Sequence, residues 1–256
     1  MSFWPIRLGS PPLILQKPKG PDFKVFATMC IHRHIDPEAF HSMIPLLLCS
    51  NPRFSFSKRR GDALIDRARA MEASRFLAET DYEVLLFLDD DIIYKFEDAI
   101  KIVREVHEGY DIVGGAYTLK ADGGEQFNIK FLADNKQAPF GLEGGLIEVR
   151  MVSTGFMAIH RRVFEQMSLT MPLCTAQKAK FYPFFQPFPK EIDGKWYYLS
   201  EDWAFCERAR DLGFKVWCDT SLKIKHAGRY VYDWDDFQRG KKQIRDNFIY
   251  SENVPG

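Results

Sequence analysis

The sequence predicts an α/β fold: a Rossmann-like, mostly parallel sheet flanked by helices, with a smaller antiparallel portion in the second half. Three observations predict it. Residues 84–88 (VLLFL) form an unbroken apolar run, as in a parallel strand covered on both faces. Strand-like and helix-like periods alternate from residue 24 to 117. A chain of 256 residues is long enough for one large domain with a substantial core.

The elements follow in order. Residues 1–22 are Pro-rich without clear periodicity and read as an extended arm. Residues 24–31 (KVFATMCI) read as the first strand, and Asp36-Pro37 opens a helix to about residue 47. The polar, basic stretch 51–61 reads as a loop. Asp62 is placed to N-cap a helix to about residue 79. After the strand at 84–88 come a helix at about 96–108 and a strand at 111–117, where Gly114-Gly115 permits close backbone approach. Antiparallel strands are expected near 126–131, 146–151 and 154–159, with a short helix at 162–168. Residues 169–199 read as a long, aromatic-rich irregular stretch. A helix at 202–212, stopped by Gly213, precedes strand-like segments 214–218 and 222–226. Residues 232–256 read as a polar, aromatic tail.

Lys plus Arg (35) balances Asp plus Glu (35), so nothing points to a nucleic-acid partner. Five scattered cysteines without a CxxC pair argue against a disulfide framework or a structural zinc site, and fit a reducing compartment. No apolar run approaches the ~20 residues of a membrane helix, and the N-terminal residues lack a signal-peptide layout. The expected location is therefore the cytoplasm, including that of an infected host if the chain is encoded by a phage or virus.

Four constellations carry chemistry. Asp89-Asp90-Asp91 follows the buried strand directly, where open α/β sheets bind ligands. Three adjacent carboxylates there form either a solvated acidic turn or a site for a hard divalent cation, Mg²⁺ or Mn²⁺. If the chain stays extended, Asp89 and Asp91 share one side. Glu201-Asp202 opens a helix; Asp202 lies toward its apolar face, where it can cap the helix or point into a site. His226 shares a strand side with Leu222 and Ile224 and needs a buried partner, of which a metal is one candidate. Lys58, Arg59 and Arg60, with Arg67 and Arg69, form either a solvated basic face or a phosphate-binding patch.

The segments LDDDI, IVGGAYTLK, VSTGFMAIHRRVFEQM and LSEDWAFCERARDLGFKVWCDTSLKIKHAG resemble, in order and spacing, the GT-A glycosyltransferases, in particular short family-2-like enzymes of bacteria and phages. The resemblance runs from about residue 24 to 230. It implies a GT-A catalytic domain over 23–231, with a nucleotide-binding half (about 23–120) and an acceptor and metal half (about 121–231). It implies a nucleoside-diphosphate sugar as donor, most commonly a UDP-sugar. The acceptor would be a glycan, lipid-linked or protein hydroxyl.

By position, the resemblance implies that Asp91 and His226 bind Mn²⁺ or Mg²⁺, with Asp89 as a nucleoside contact and alternative metal ligand. Asp90 lies between them. Thr28, Arg60 and Arg67 would hold the nucleotide. Gly114, Gly115 and Tyr117 would line the sugar pocket, with Thr154 and Gly155 opposite. Asp202 would be the general base, supported by Glu201, giving inversion. The aromatics Phe181, Tyr182, Phe184, Phe185, Trp196 and Tyr197 offer an acceptor platform or lid, or else loop packing. The rival readings are a retaining transferase on the same fold, a sugar-phosphate nucleotidyltransferase, and a non-catalytic nucleotide-sugar-binding module.

Overall fold

A computed structural model describes residues 22–31, 33–120, 126–134, 137–176, 179–228, 231–234 and 247–251. The expected arm (1–22), apart from Asp22, and most of the tail (232–256) lie outside these residues.

The first strand, β1 (Lys24–Ile31), leads to α1 (Pro37–Leu48), β2 (Arg53–Arg60), α2 (Ile65–Glu79) and β3 (Val84–Leu88). A two-residue strand, β4 (Ile92–Ile93), precedes α3 (Phe96–His107) and β5 (Ile112–Gly115). The second half contains β6 (Ile129–Lys130), β7 (Gln137–Gly141), β8 (Leu146–Val149), β9 (Met151–Val152), β10 (Phe156–His160) and α4 (Arg161–Ser168). Next come β11 (Cys174–Ala176), β12 (Ala179–Phe181), β13 (Phe188–Ile192), β14 (Lys195–Leu199) and α5 (Glu201–Asp211). The described elements end with β15 (Val216–Asp219), β16 (Lys225–Ala227), β17 (Val231–Tyr232) and β18 (Asn247–Ser251).

The central sheet has seven strands in the order β2-β1-β3-β10-β5-β15-β8. The pairs β1–β2, β1–β3 and β5–β15 are parallel, whereas β10 runs antiparallel to both β3 and β5. Alternate side chains supply two cores. Leu85 and Phe87 join Phe76 of α2, Phe164 of α4 and Phe205 of α5 on one face. Val84, Leu86 and Leu88 join Leu46 of α1 and Val103 of α3 on the other. This is the mixed α/β architecture, with a mostly parallel central sheet flanked by helices, expected from the sequence.

Two expectations are corrected. Residues 51–61 do not form a loop, because β2 pairs along the whole of β1. Phe54 and Phe56 alternate with Ser55 and Ser57, which is the period of a strand, and an edge position tolerates the flanking charges. Residues 169–199 are not irregular either: they contain two hairpins, β11–β12 and β13–β14. Asp193-Gly194 closes the second with both residues at positive φ (51° and 76°), the geometry a two-residue turn demands.

Candidate functional site

The three-aspartate turn leaves the carboxyl end of β3 and is held by backbone bonds to three distant segments. The Asp89 amide donates to the Gly155 carbonyl at 2.8 Å. The carbonyls of Asp90 and Asp91 accept from the amides of Asp36 (2.8 Å) and Ala227 (2.7 Å). β4 then pairs antiparallel with β16, putting His226 opposite Ile92. That pairing brings His226 to Asp91, with Nε2 3.6 Å from Oδ1. Nδ1 of the same ring lies 3.1 Å from the Thr118 carbonyl. A carbonyl only accepts, so Nδ1 carries the proton and Nε2 is the nitrogen presented to Asp91.

Asp91 also pairs with the Lys120 ammonium through Oδ2. Burial works against its ionisation, but His226 and Lys120 outweigh burial and hold the carboxyl below the usual range. A carboxylate oxygen suits Mg²⁺ or Mn²⁺, whereas an imidazole nitrogen favours later divalent metals, so the mixed pair leans to Mn²⁺ over Mg²⁺. Among the described residues no cluster of three or more His, Cys, Asp or Glu converges on a metal position. A cation here would take two protein ligands, with its other positions left to substrate oxygens and water, and Lys120 would have to yield.

Asp89 is directed away from this pair. Both its oxygens lie 2.9 Å from Nη2 of Arg69, a buried side chain of α2. Nη1 of Arg69 bonds Glu201 Oε1 at 2.5 Å. Asp89 is therefore placed as an Arg69 partner, and the Asp91–His226 pair forms without it. Asp202, 8% exposed, accepts from the Ser200 hydroxyl (2.5 Å) and the Trp203 amide (2.8 Å). Burial raises the Glu201 carboxyl; Arg69 opposes this and Asp202 reinforces it.

Two clefts meet at the turn. One, about 240 Å³, has an apolar wall that includes Ile31 and Ile65, with Arg59, Asp62 and Asp89 at its rim. The other, about 260 Å³, is lined by Arg33, His34 and Lys120. Asp90 and Asp91 border both. The first suits a flat ring with polar edges; the second sets Arg33, His34 and Lys120 against the carboxylates of Asp36, Asp90 and Asp91, so an anion there would need a cation beside those carboxylates.

Several expected site residues stand elsewhere. Thr28 is buried and its hydroxyl donates to Glu72 at 3.1 Å, beneath the first cleft. The Arg60 guanidinium donates to the Arg33 carbonyl at 3.1 Å and so braces the loop of the second cleft. Arg67 grips Asp62 (2.6 Å), whose carboxylate also accepts from the Leu64 amide; α2 is thus capped at Leu64, not at Asp62. Gly115 belongs to the core, where a Cβ would meet Phe156 at 2.9 Å. Tyr117 is buried between the two halves of the site. Its ring lies 5.2 Å from His226, edge-on, and its hydroxyl lies against Gly155. Burial, with Asp89 and Asp202 nearby, lifts that phenol well above its ordinary range. Of the aromatics, Phe181, Phe184 and Phe185 are core, whereas Trp196 (71%) and Tyr197 are exposed.

The structure adds residues that sequence reasoning did not assign. Glu72, 1% exposed, accepts from Thr28, Ser57 and Arg59, and so aims Arg59 at the first cleft. Asn128 is buried; it accepts from the Tyr117 amide and donates to the Gly115 carbonyl, setting the chain beyond β5. For Glu72 the available signal was its place four residues after Ala68 and four before Phe76, in line with two buried apolar residues of α2.

No protein-family profile and no curated protein matches the chain. Among solved structures, the chain is similar to A197 from STIV, with a TM-score of 0.52 and 20% identity over 81% of this chain and 93% of that one. It is also similar to CMP:2-keto-3-deoxy-manno-octonic acid synthetase complexed with CTP, with a TM-score of 0.44 and 11% identity over 77% and 89% of the two chains. The first likeness supports the fold; the second carries no argument.

Proposed function

We propose that the chain is a metal-dependent glycosyltransferase that moves a sugar from a nucleoside diphosphate, most commonly UDP, to an acceptor hydroxyl with inversion. The observation that carries this reading is the meeting of Asp91 and His226 where a ring-suited cleft adjoins one lined by both cationic side chains and carboxylates. The nucleoside would occupy the cleft with Arg59 and Asp62. The diphosphate would face Arg33, His34 and Lys120. Asp91 and His226 would hold a divalent cation, which when bound would supply Lewis-acid neutralisation of the diphosphate.

The chain's own residues do the rest. Arg33 and Lys120 hold negative charge as the bond between the anomeric carbon and the phosphate oxygen breaks. Asp202 accepts the acceptor's hydroxyl proton as the new carbon–oxygen bond forms on the opposite face of the sugar. Tyr117 and Gly155 close the space between donor and acceptor sides.

The test is a screen of UDP-, GDP- and dTDP-sugars with Mn²⁺, reading free nucleotide release and thermal shift. One donor family should stabilise the protein and be slowly hydrolysed, and His226→Ala should abolish both effects. No shift and no release with any donor would overturn the reading.

A further inference from the structure

Arg69 joins two parts of the molecule that glycosyl transfer would use separately. It stands on α2, flanked by the buried Ala68 and Ala70, with its side chain only 5% exposed. Nη2 holds Asp89 of the turn after β3; Nη1 holds Glu201, the first residue of α5 and the neighbour of Asp202. The two bonds use different nitrogens of one rigid plane, so a shift of Asp89 is transmitted to Glu201 instead of being absorbed by a flexible stem. Asp89, Glu201 and Asp202 bring three acidic groups around one guanidinium. Arg69 offsets their mutual repulsion. Its Nε is buried without a hydrogen-bond partner, so the two Nη groups alone carry the link between Asp89 and Glu201.

We propose that Arg69 is a positioning residue through which nucleotide occupancy at Asp89 orders the first turn of α5, and with it Asp202. The inference rests on the donor assignment above. In the nucleotide-free protein Asp89 claims one end of the guanidinium. When a nucleotide hydroxyl donates to Asp89, the carboxylate makes a weaker claim, and Arg69 engages Glu201 more fully. The acceptor-side carboxylate is then set only when a donor is in place, which limits capture of acceptor by an empty enzyme. Linkage requires the reverse effect: altering Glu201 must alter nucleotide affinity.

The test uses the full chain with UDP, GDP or dTDP and Mn²⁺. In the wild type, nucleotide should slow amide hydrogen exchange in the 201–206 segment. Glu201→Gln should change the nucleotide Kd by about five- to tenfold, in the range of known couplings. In Arg69→Met both effects should vanish, with the Kd then insensitive to Glu201→Gln. If Arg69→Met does not fold, Arg69→Lys serves, because one ammonium cannot span both carboxylates in the same plane. Nucleotide binding with unchanged exchange at 201–206 and a Kd within twofold in Glu201→Gln overturns the coupling alone. No binding of any nucleotide overturns the coupling and the donor assignment together.

Discussion

Gly155→Ala places one methyl group at the centre of the site. A Cβ there would lie 2.5 Å from the Tyr117 hydroxyl and 2.9 Å from Asp89 Oδ2, closer than atoms pack. Neither neighbour can swing away freely: Tyr117 is 4% exposed and edge-on to His226, and Asp89 is held by Arg69. Gly155 shows no positive φ, so the cost is overpacking and not backbone strain. Overpacking of this kind costs about 1–3 kcal/mol. In a chain of this size each kcal/mol lowers Tm by about 2–4 °C, so a fall of roughly 6 °C is expected at mid-range. Moving Asp89 off Arg69 also weakens a charge-assisted bond worth about 1.5–3 kcal/mol. If the nucleoside depends on that geometry, its affinity should fall roughly tenfold or more. Calorimetric melting and nucleotide titration read the two effects. A Tm within 1 °C of wild type, with unchanged affinity, would refute the close packing of Tyr117, Gly155 and Asp89.

Three further outcomes are expected. Lys120→Met should tighten Mn²⁺ binding measured without nucleotide by roughly two- to fivefold, because a half-exposed ion pair with Asp91 is worth about 0.5–1 kcal/mol; weaker Mn²⁺ binding would contradict a competing Lys120. Asp202→Asn should leave nucleotide affinity within threefold while transfer falls by about 10²–10⁴, the share of a general base; full activity would exclude Asp202 as the base. Glu105 carries a pH dependence far from the site. Burial first, then Asp219, lifts its carboxyl to about 8. Its folded pKa exceeds the unfolded one, so its favourable contribution is complete below about pH 4.5 and is lost as pH rises toward 8. Tm should therefore decline across that window in the wild type and decline less in Glu105→Gln; identical profiles would exclude this group as the cause.

The legible parts of the fold are those where one period dominates. The apolar run of β3 and the amphipathic pattern of α3 announce themselves because β3 packs against a core on each face and α3 against one. β2 was obscured because its charges drew attention from its phenylalanine alternation. The β13–β14 hairpin was obscured by its aromatics, although Asp193-Gly194 marks the turn. In the site, the aspartate turn could be nominated from its place after a buried strand and His226 from strand alternation, whereas the choice of Asp91 rests on the GT-A resemblance; alternation alone puts Asp89 on the same side, and the structure turns it to Arg69 instead. Thr28 shows the limit of that logic. Alternation puts it on the α2 side of the sheet, but only the docked helix reveals that Glu72 covers it. Arg69 likewise looked like one member of a basic patch; its two partners come from β3 and α5, and no local pattern relates them.

The backbone bonds around the three aspartates also have a kinetic meaning. The turn after β3 draws its partners from residues 36, 155 and 227, so local structure alone cannot complete it. Closing such long loops costs chain entropy before any bond repays it. β1, β2 and β3 can pair early, but the aspartate turn acquires its final shape only after β10 and β16 have docked. Synthesis from the N-terminus would therefore yield a sheet with an unformed aspartate turn until residue 227 emerges. The final shape of the turn thus reports that β10 and β16 have docked.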